Sequence, residues 1–224
     1  MNDKQLAAHH AAAQVKGGMI VGLGTGSTAD CFIEELARLF GEGLPVTAVS
    51  SSTASAIKAR ALGLPLAAWE HLDRIDLYVD GADEVAPDLT LLKGRGADLV
   101  REKLLARAAD AFLVLVDASK LVGHIGERYP IPVEVLPFAW RMALRSLEAM
   151  GGRGGLRYTP GGAPAVTSHG SLVLDMAFGA EWGAQDLAQA LSSTPGVVEH
   201  GIFDRLASAV LVADQGAVKV LSAE

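Results

Sequence analysis

Between residues 19 and 117 the chain alternates short aliphatic and β-branched runs with stretches of helical periodicity, and nothing else in it constrains the fold as tightly. Strand-like runs at 19–22, 46–50, 75–79 and 111–116 are separated by helical patterns at 28–40, 55–62 and 97–109, and another helix runs to about Lys16 before Gly17 and Gly18. Parallel neighbours need a long crossover, which a helix supplies, so this alternation predicts βαβ units around a parallel sheet. The 28–40 segment carries Phe32, Ile33, Leu36, Leu39 and Phe40 on one apolar stripe. After Gly126 the pattern changes. A strand through Val135, a helix at 138–150, a glycine-rich loop at 151–162, a strand at 171–175, a helix at 185–191 and a strand at 196–200 predict a small α+β lobe inserted into the parallel domain. Runs at 209–213 and 217–221 turn on Asp214, Gln215 and Gly216 as a hairpin that returns to the first sheet. The expected division is therefore 1–127 plus 203–224 for the larger domain and 128–202 for the lobe.

Composition narrows the function classes. Half of the 224 residues are hydrophobic, so the chain can bury a core without disulfides or metals. A net charge of -7 with no Lys/Arg run speaks against a nucleic-acid surface, which needs concentrated positive charge. Cys31 is the only cysteine, read as a buried helix residue, and the N-terminal stretch Met1, Asn2, Asp3, Lys4 does not read as a secretory signal. Both lead to an expectation of a reducing, cytoplasmic setting. The longest apolar runs are too short to cross a bilayer as a helix, so no membrane partner is expected. The six histidines are scattered without metal-ligand spacing, and no metal site or cofactor is expected. The three tryptophans read as packing residues.

Three glycine-containing stretches carry the chemistry. Gly22-Leu23-Gly24-Thr25-Gly26-Ser27-Thr28 sits between a strand and a helix, where free backbone N–H groups and the helix dipole favour an anion such as a phosphate. It is neither a dinucleotide fingerprint, since Ser27 stands where Gly or Ala is needed, nor a Walker A loop, since no Gly-Lys-Ser/Thr follows. Glycines serving only a tight turn remain the other reading. At the C-terminal end of the third strand, Asp80 and Asp83 flank Gly81 and Ala82 beside Glu84. That rim is where open parallel sheets bind ligands, although solvated turn carboxylates would look the same. The third stretch runs Lys93-Gly94-Arg95-Gly96 into a helix carrying Glu102. By periodicity alone Glu102 would be an ordinary exposed helix residue. Lys120, just past the strand ending at Asp117, reads equally as a rim residue or a solvated surface group.

Together these stretches, with Asp117-Ala118-Ser119-Lys120 and Pro132-Val133-Glu134-Val135, resemble the ribose-5-phosphate isomerase A family in order and spacing over nearly the whole chain. The resemblance implies a Rossmann-like domain with an inserted ferredoxin-like lobe, a homodimer, a sugar-phosphate substrate and no cofactor. It implies aldose–ketose isomerisation between ribose 5-phosphate and ribulose 5-phosphate through an enediolate. Glu102 matches the family's base, with Asp80 assisting ring opening and proton movement. Thr25, Gly26, Ser27 and Thr28 match a first substrate-contacting turn, Asp80, Gly81, Ala82 and Asp83 a second, and Lys93, Gly94, Arg95 and Gly96 a third. Lys120 matches a substrate-binding lysine and Lys4 a lysine that helps hold the phosphate. Arg95 interrupts the family's run of glycines. Its guanidinium either points inward to the substrate or outward, pairing with Asp98. Two other functions share the architecture, a non-catalytic sugar-phosphate sensor and a coenzyme A transferase. The acidic set Glu102, Asp80 and Asp83 argues against the sensor, and the chain length against the transferase.

Overall fold

A computed structural model describes residues 2–222. Its chain order is α1 (Asp3–Ala12), β1 (Ile20–Leu23), α2 (Ser27–Gly41), β2 (Thr47–Ser50), α3 (Thr53–Ala61), β3 (Ile75–Gly81), β4 (Glu84–Val85), β5 (Leu91–Leu92), α4 (Leu99–Ala108) and β6 (Ala109–Asp117). There follow β7 (Ile131–Val135), α5 (Trp140–Ala149), β8 (Arg153–Leu156), β9 (Leu172–Ala177), α6 (Ala184–Ser192), β10 (Val197–His200), β11 (Ile202–Phe203), β12 (Ala209–Asp214) and β13 (Ala217–Ser222). The chain divides into two compact units, one of residues 1–82, 101–121 and 205–224, the other of 83–100 and 122–204.

The first unit is built on a six-stranded sheet in the order β13-β12-β6-β3-β1-β2, parallel except for the antiparallel β12–β13 pair. Side chains alternate between its faces. Leu77 and Val79, Leu113 and Leu115, and Leu211 and Ala213 point to the face covered by α1 and α2. From α2 come Ala29, Phe32, Ile33 and Leu36 at helical spacing, all buried. Each large apolar side chain hidden this way stabilises the fold by about 1.5–3 kcal/mol. Helix α1 offers only Ala7, Ala8, Ala11 and Ala12 to that core, and these small residues let it lie close to α2. A reciprocal cap starts α1: Gln5 N donates to Asn2 Oδ1 and Asn2 N to Gln5 Oε1. On the opposite face Tyr78 stacks on Phe112 with ring centroids 4.7 Å apart.

The second unit holds a four-stranded antiparallel sheet in the order β10-β7-β9-β8. Its chain order is β7-α5-β8-β9-α6-β10, a βαββαβ unit of ferredoxin-like connectivity. Ala143 and Leu147 of α5 and Leu187 and Leu191 of α6 cover Ile131, Val133, Val135, Leu174 and Met176. The 151–162 segment, a loop by sequence, contains β8. Its Gly154 brings the backbone so close to β9 that a Cβ there would stand 1.9 Å from Asp175 O, so the glycine reflects strand contact and not flexibility.

Segment 83–100, which the sequence reading placed with the larger domain, packs with the second unit. Its two short strands, β4 and β5, form a small sheet with β11. Lys93 N donates to Gly201 O at 2.9 Å and Val122 N to Val85 O at 3.0 Å. The buried Glu84 carboxylate accepts from the N–H groups of Gly126, Arg128 and Tyr129 at 2.7–2.8 Å. No helix among the described residues is long and apolar enough to cross a membrane.

Candidate active site

In the first unit the functional groups gather at the C-terminal ends of β1, β2 and β3. The chain leaves β1 through Gly24, whose N–H donates to Val79 O at 2.9 Å. A Cβ on Gly24 would lie 2.1 Å from Asp80 Oδ1, so only glycine permits this approach. Gly26, at φ +102, forms the N-cap of α2 and makes no side-chain cap. The first-turn amides are therefore left for an anion at the positive end of a fifteen-residue helix. Ser27 and Thr28 open that turn. Lys4 reaches across from α1, its Nζ donating to Ser27 Oγ at 2.7 Å, which adds a cation to the same spot. Thr25 shares its hydroxyl with Ser51 (2.8 Å) and Ser52 (2.7 Å), two buried serines after β2.

Asp80 is fully buried at the end of β3. Its Oδ1 accepts from Gly81 N at 2.7 Å and Thr25 N at 3.1 Å, and its Oδ2 from Tyr78 Oη at 2.5 Å. Three hydrogen bonds of this kind fix the rotamer of the carboxyl group. Glu102 is only 4% exposed although it lies on helix α4. Burial and the nearby charges of Asp80 and Glu102 hold the Tyr78 hydroxyl well above the ordinary tyrosine range, so the phenol stays a donor. Beyond β6, Asp117 Oδ1 accepts from Ser119 N at 2.9 Å and from Ser119 Oγ, closing a short 3₁₀ turn that ends at the half-buried Lys120. Ala82 follows Gly81, half-buried.

In the second unit Asp83, half-buried, donates its N–H to Leu92 O at 2.8 Å. Lys93 is buried, its ammonium 5.7 Å from the centre of the Phe203 ring. The turn bends at Gly94, φ +102, and its next two residues, Arg95 and Gly96, are exposed. Arg95 points outward, yet its partner differs from the one expected. The guanidinium lies 4.2 Å above the Tyr129 ring, while Asp98 accepts from Ser168 Oγ. Tyr78, Ser51 and Ser52 were not singled out from sequence, and neither was Arg157, which reaches the third turn from the lobe. The hydroxyl run at 50–52 was the one available sign. Among the described residues no group of three or more His, Cys, Asp and Glu side chains could hold a metal ion.

Residues 47–217 match the family model for ribose 5-phosphate isomerase A (phosphoriboisomerase A). The chain is 46% identical over 219 residues to the ribose-5-phosphate isomerase A of Thermomicrobium roseum, covering 97% of this chain and 92% of that one. Its fold is similar to the ribose 5-phosphate isomerase A of Methanocaldococcus jannaschii, with a TM-score of 0.93, 39% identity and 98% of each chain covered. A D-ribose-5-phosphate isomerase solved in complex with phospho-erythronic acid is similar too, with a TM-score of 0.95, 36% identity and 99% and 100% of the two chains covered.

Proposed function

Since the chain belongs to the ribose-5-phosphate isomerase A family and interconverts ribose 5-phosphate and ribulose 5-phosphate, a step of the pentose phosphate pathway, we propose that Glu102 is the base that carries the proton between the two reacting carbons. The observation that carries this reading is the burial of Glu102, a helix carboxylate only 4% exposed, in the same unit as the fully buried Asp80. Isomerisation removes the proton from the carbon beside the aldehyde, passes through an enediolate and returns the proton to the neighbouring carbon. One carboxylate on the correct face suffices, and no metal enters the proton balance. Asp80, held in one orientation by its three hydrogen bonds, assists ring opening and the movement of a proton between the sugar oxygens. The phosphate takes the N-terminus of α2 with Ser27, Thr28, Gly26 and Lys4, and that remote binding energy aligns the reacting end. That a similar enzyme is solved with phospho-erythronic acid, a phosphorylated sugar acid, supports a sugar phosphate as the ligand here.

By the same family resemblance, Thr25, Lys120, Gly81 and Ala82 line the substrate's path. Asp83, Lys93, Gly94, Arg95 and Gly96 contact its hydroxyls and developing charge. A cytoplasmic homodimer completes the proposal. The exposed apolar side chains of Phe138 and Met142 suit a protein–protein contact, and light scattering in solution would give the mass that decides it. Glu102→Gln keeps size and polarity but cannot take the proton. Its kcat should fall by about three orders of magnitude with KM little changed, while wild-type turnover should be unaffected by a chelator. A folded Glu102→Gln enzyme with most of its activity would remove Glu102 from the mechanism.

A further inference from the structure

We propose that Arg157, held by Asp175, is a positioning residue for the isomerisation. It sets the peptide planes of the 93–97 turn so that the N–H groups of Arg95 and Gly96 face substrate oxygen. The inference rests on the reading that this turn contacts the substrate.

Arg157 follows β8, and Asp175 lies on β9. The guanidinium binds that carboxylate through Nε at 2.8 Å and Nη2 at 2.5 Å, a two-pronged pair whose side chains are 17% and 28% exposed. The fork leaves Nη1 over, and it donates to two successive carbonyls, Gly94 O and Arg95 O, both at 3.1 Å. A trans peptide is planar, with its C=O and N–H on opposite sides. When the carbonyls of 94 and 95 both turn toward the guanidinium, the N–H groups of Arg95 and Gly96 must both turn away from it, side by side. Among the described residues neither N–H donates to a protein acceptor. Two adjacent amides aimed the same way form a small concavity that favours an oxygen bearing negative charge.

The backbone closes this turn in part, with Ala97 N donating to Gly94 O at 3.2 Å, but glycine at 94 and 96 has no Cβ to resist rotation of the peptide planes between them. The clamp adds to that bond by holding the carbonyls of 94 and 95 together. Lysine could not replace it, since one ammonium cannot grip a carboxylate with two parallel bonds and reach two carbonyls beyond it. The oxygens in question gain charge on the way to the enediolate. Loss of the clamp should therefore weaken the transition state more than the ground state.

The test uses the full chain and two measurements. With the wild-type protein labelled with ¹⁵N, addition of phospho-erythronic acid should shift the amide resonances of Arg95 and Gly96. In steady-state kinetics Arg157→Gln, folded by circular dichroism, should lose at least about tenfold in kcat with KM for ribose 5-phosphate within about threefold. Arg157→Lys should recover little of the loss, and it stands in with the same thresholds if Arg157→Gln does not fold. If the amides shift but kcat stays within about threefold, or if the loss appears in KM alone, the positioning role is overturned and the turn still contacts substrate. If the two amides do not respond in the wild type, the turn reading fails and the inference falls with it.

Discussion

In the turn at 24–28 the constraint is local: Gly24 is pressed against Asp80 of the neighbouring strand, and helix α2 begins three residues later at Ser27. In the turn at 93–97 the constraint arrives from far along the chain, through the Arg157 guanidinium and the Lys93–Gly201 backbone bond. Both offer backbone N–H groups. The first derives its shape from close packing and a helix dipole, the second from backbone bonds supplemented by one charged side chain. A glycine turn is therefore not one device. Gly24 tolerates no added atom, whereas the exposed positions 95 and 96 of the clamped turn tolerate changes to their side chains and depend on the clamp.

That difference can be broken most decisively at Gly24. Gly24→Ala would place a methyl inside the Asp80 carboxylate, so Asp80 or the turn must move. A loss of about a hundredfold or more in kcat/KM is expected, with about 1–3 kcal/mol of stability from overpacking. A variant near wild-type activity would mean that the turn is looser than its contacts imply.

A smaller effect tests how firmly the first turn is seated through α2. Glu35 of that helix is gripped by Arg38 at 2.7 Å and met by His9 of α1 at 2.8 Å. Hydrogen bonds from Arg38, then His9, hold its carboxyl down at about 2 against the desolvation that would raise it. A depressed folded-state value stabilises the protein above the unfolded value of 4.5 and loses that contribution as the pH falls toward about 2. Both partners are about half exposed, so solvent screening limits the gain to about 1 kcal/mol. The stability gap between the wild type and Glu35→Gln, from urea unfolding, should be full at pH 6 and close between about 4.5 and 2. A gap that did not depend on pH would assign it to packing.

The smallest effect is expected at Arg95. Its guanidinium rests on Tyr129 in the open, an arrangement worth about 0.5–1 kcal/mol. Arg95→Gly should leave KM for ribose 5-phosphate within about threefold. A tenfold rise would place the side chain on the substrate and undo the contrast between a turn's own side chains and its clamp.

The same contrast explains what could be read in advance. The strands and helices of the first unit follow periodicity closely because each buries one face against its neighbours, and 28–40 became α2 almost unchanged. The two-residue strands β4, β5 and β11 are too short to show any period, and β8 was hidden because its glycines serve close backbone contact. Asp80 and Glu84 look alike on paper. In the fold one is held by a phenol and two amides beside the first turn, and the other serves as an internal acceptor for three amides of the second unit. Glu102 reads as an exposed helix residue because periodicity cannot register a buried charge. Arg157 carried no signal at all, since its partners lie about sixty residues upstream and eighteen downstream.

The place of β12 in the sheet has a consequence for the chain as it leaves the ribosome. Phe112, Leu113, Val114, Leu115 and Val116 of β6 are buried, and one edge of that strand is paired only by β12, whose first residue is Ala209. At bacterial and eukaryotic elongation rates of about 5–20 residues per second, the roughly ninety residues between them take about 5–20 s to synthesise. Throughout that interval β6 presents an apolar, unpaired edge to whatever else is nascent nearby, the kind of template on which chains aggregate. The ββ hairpin that closes the sheet thus ends the period of greatest exposure, and the second unit's 122–204 segment is translated entirely within it.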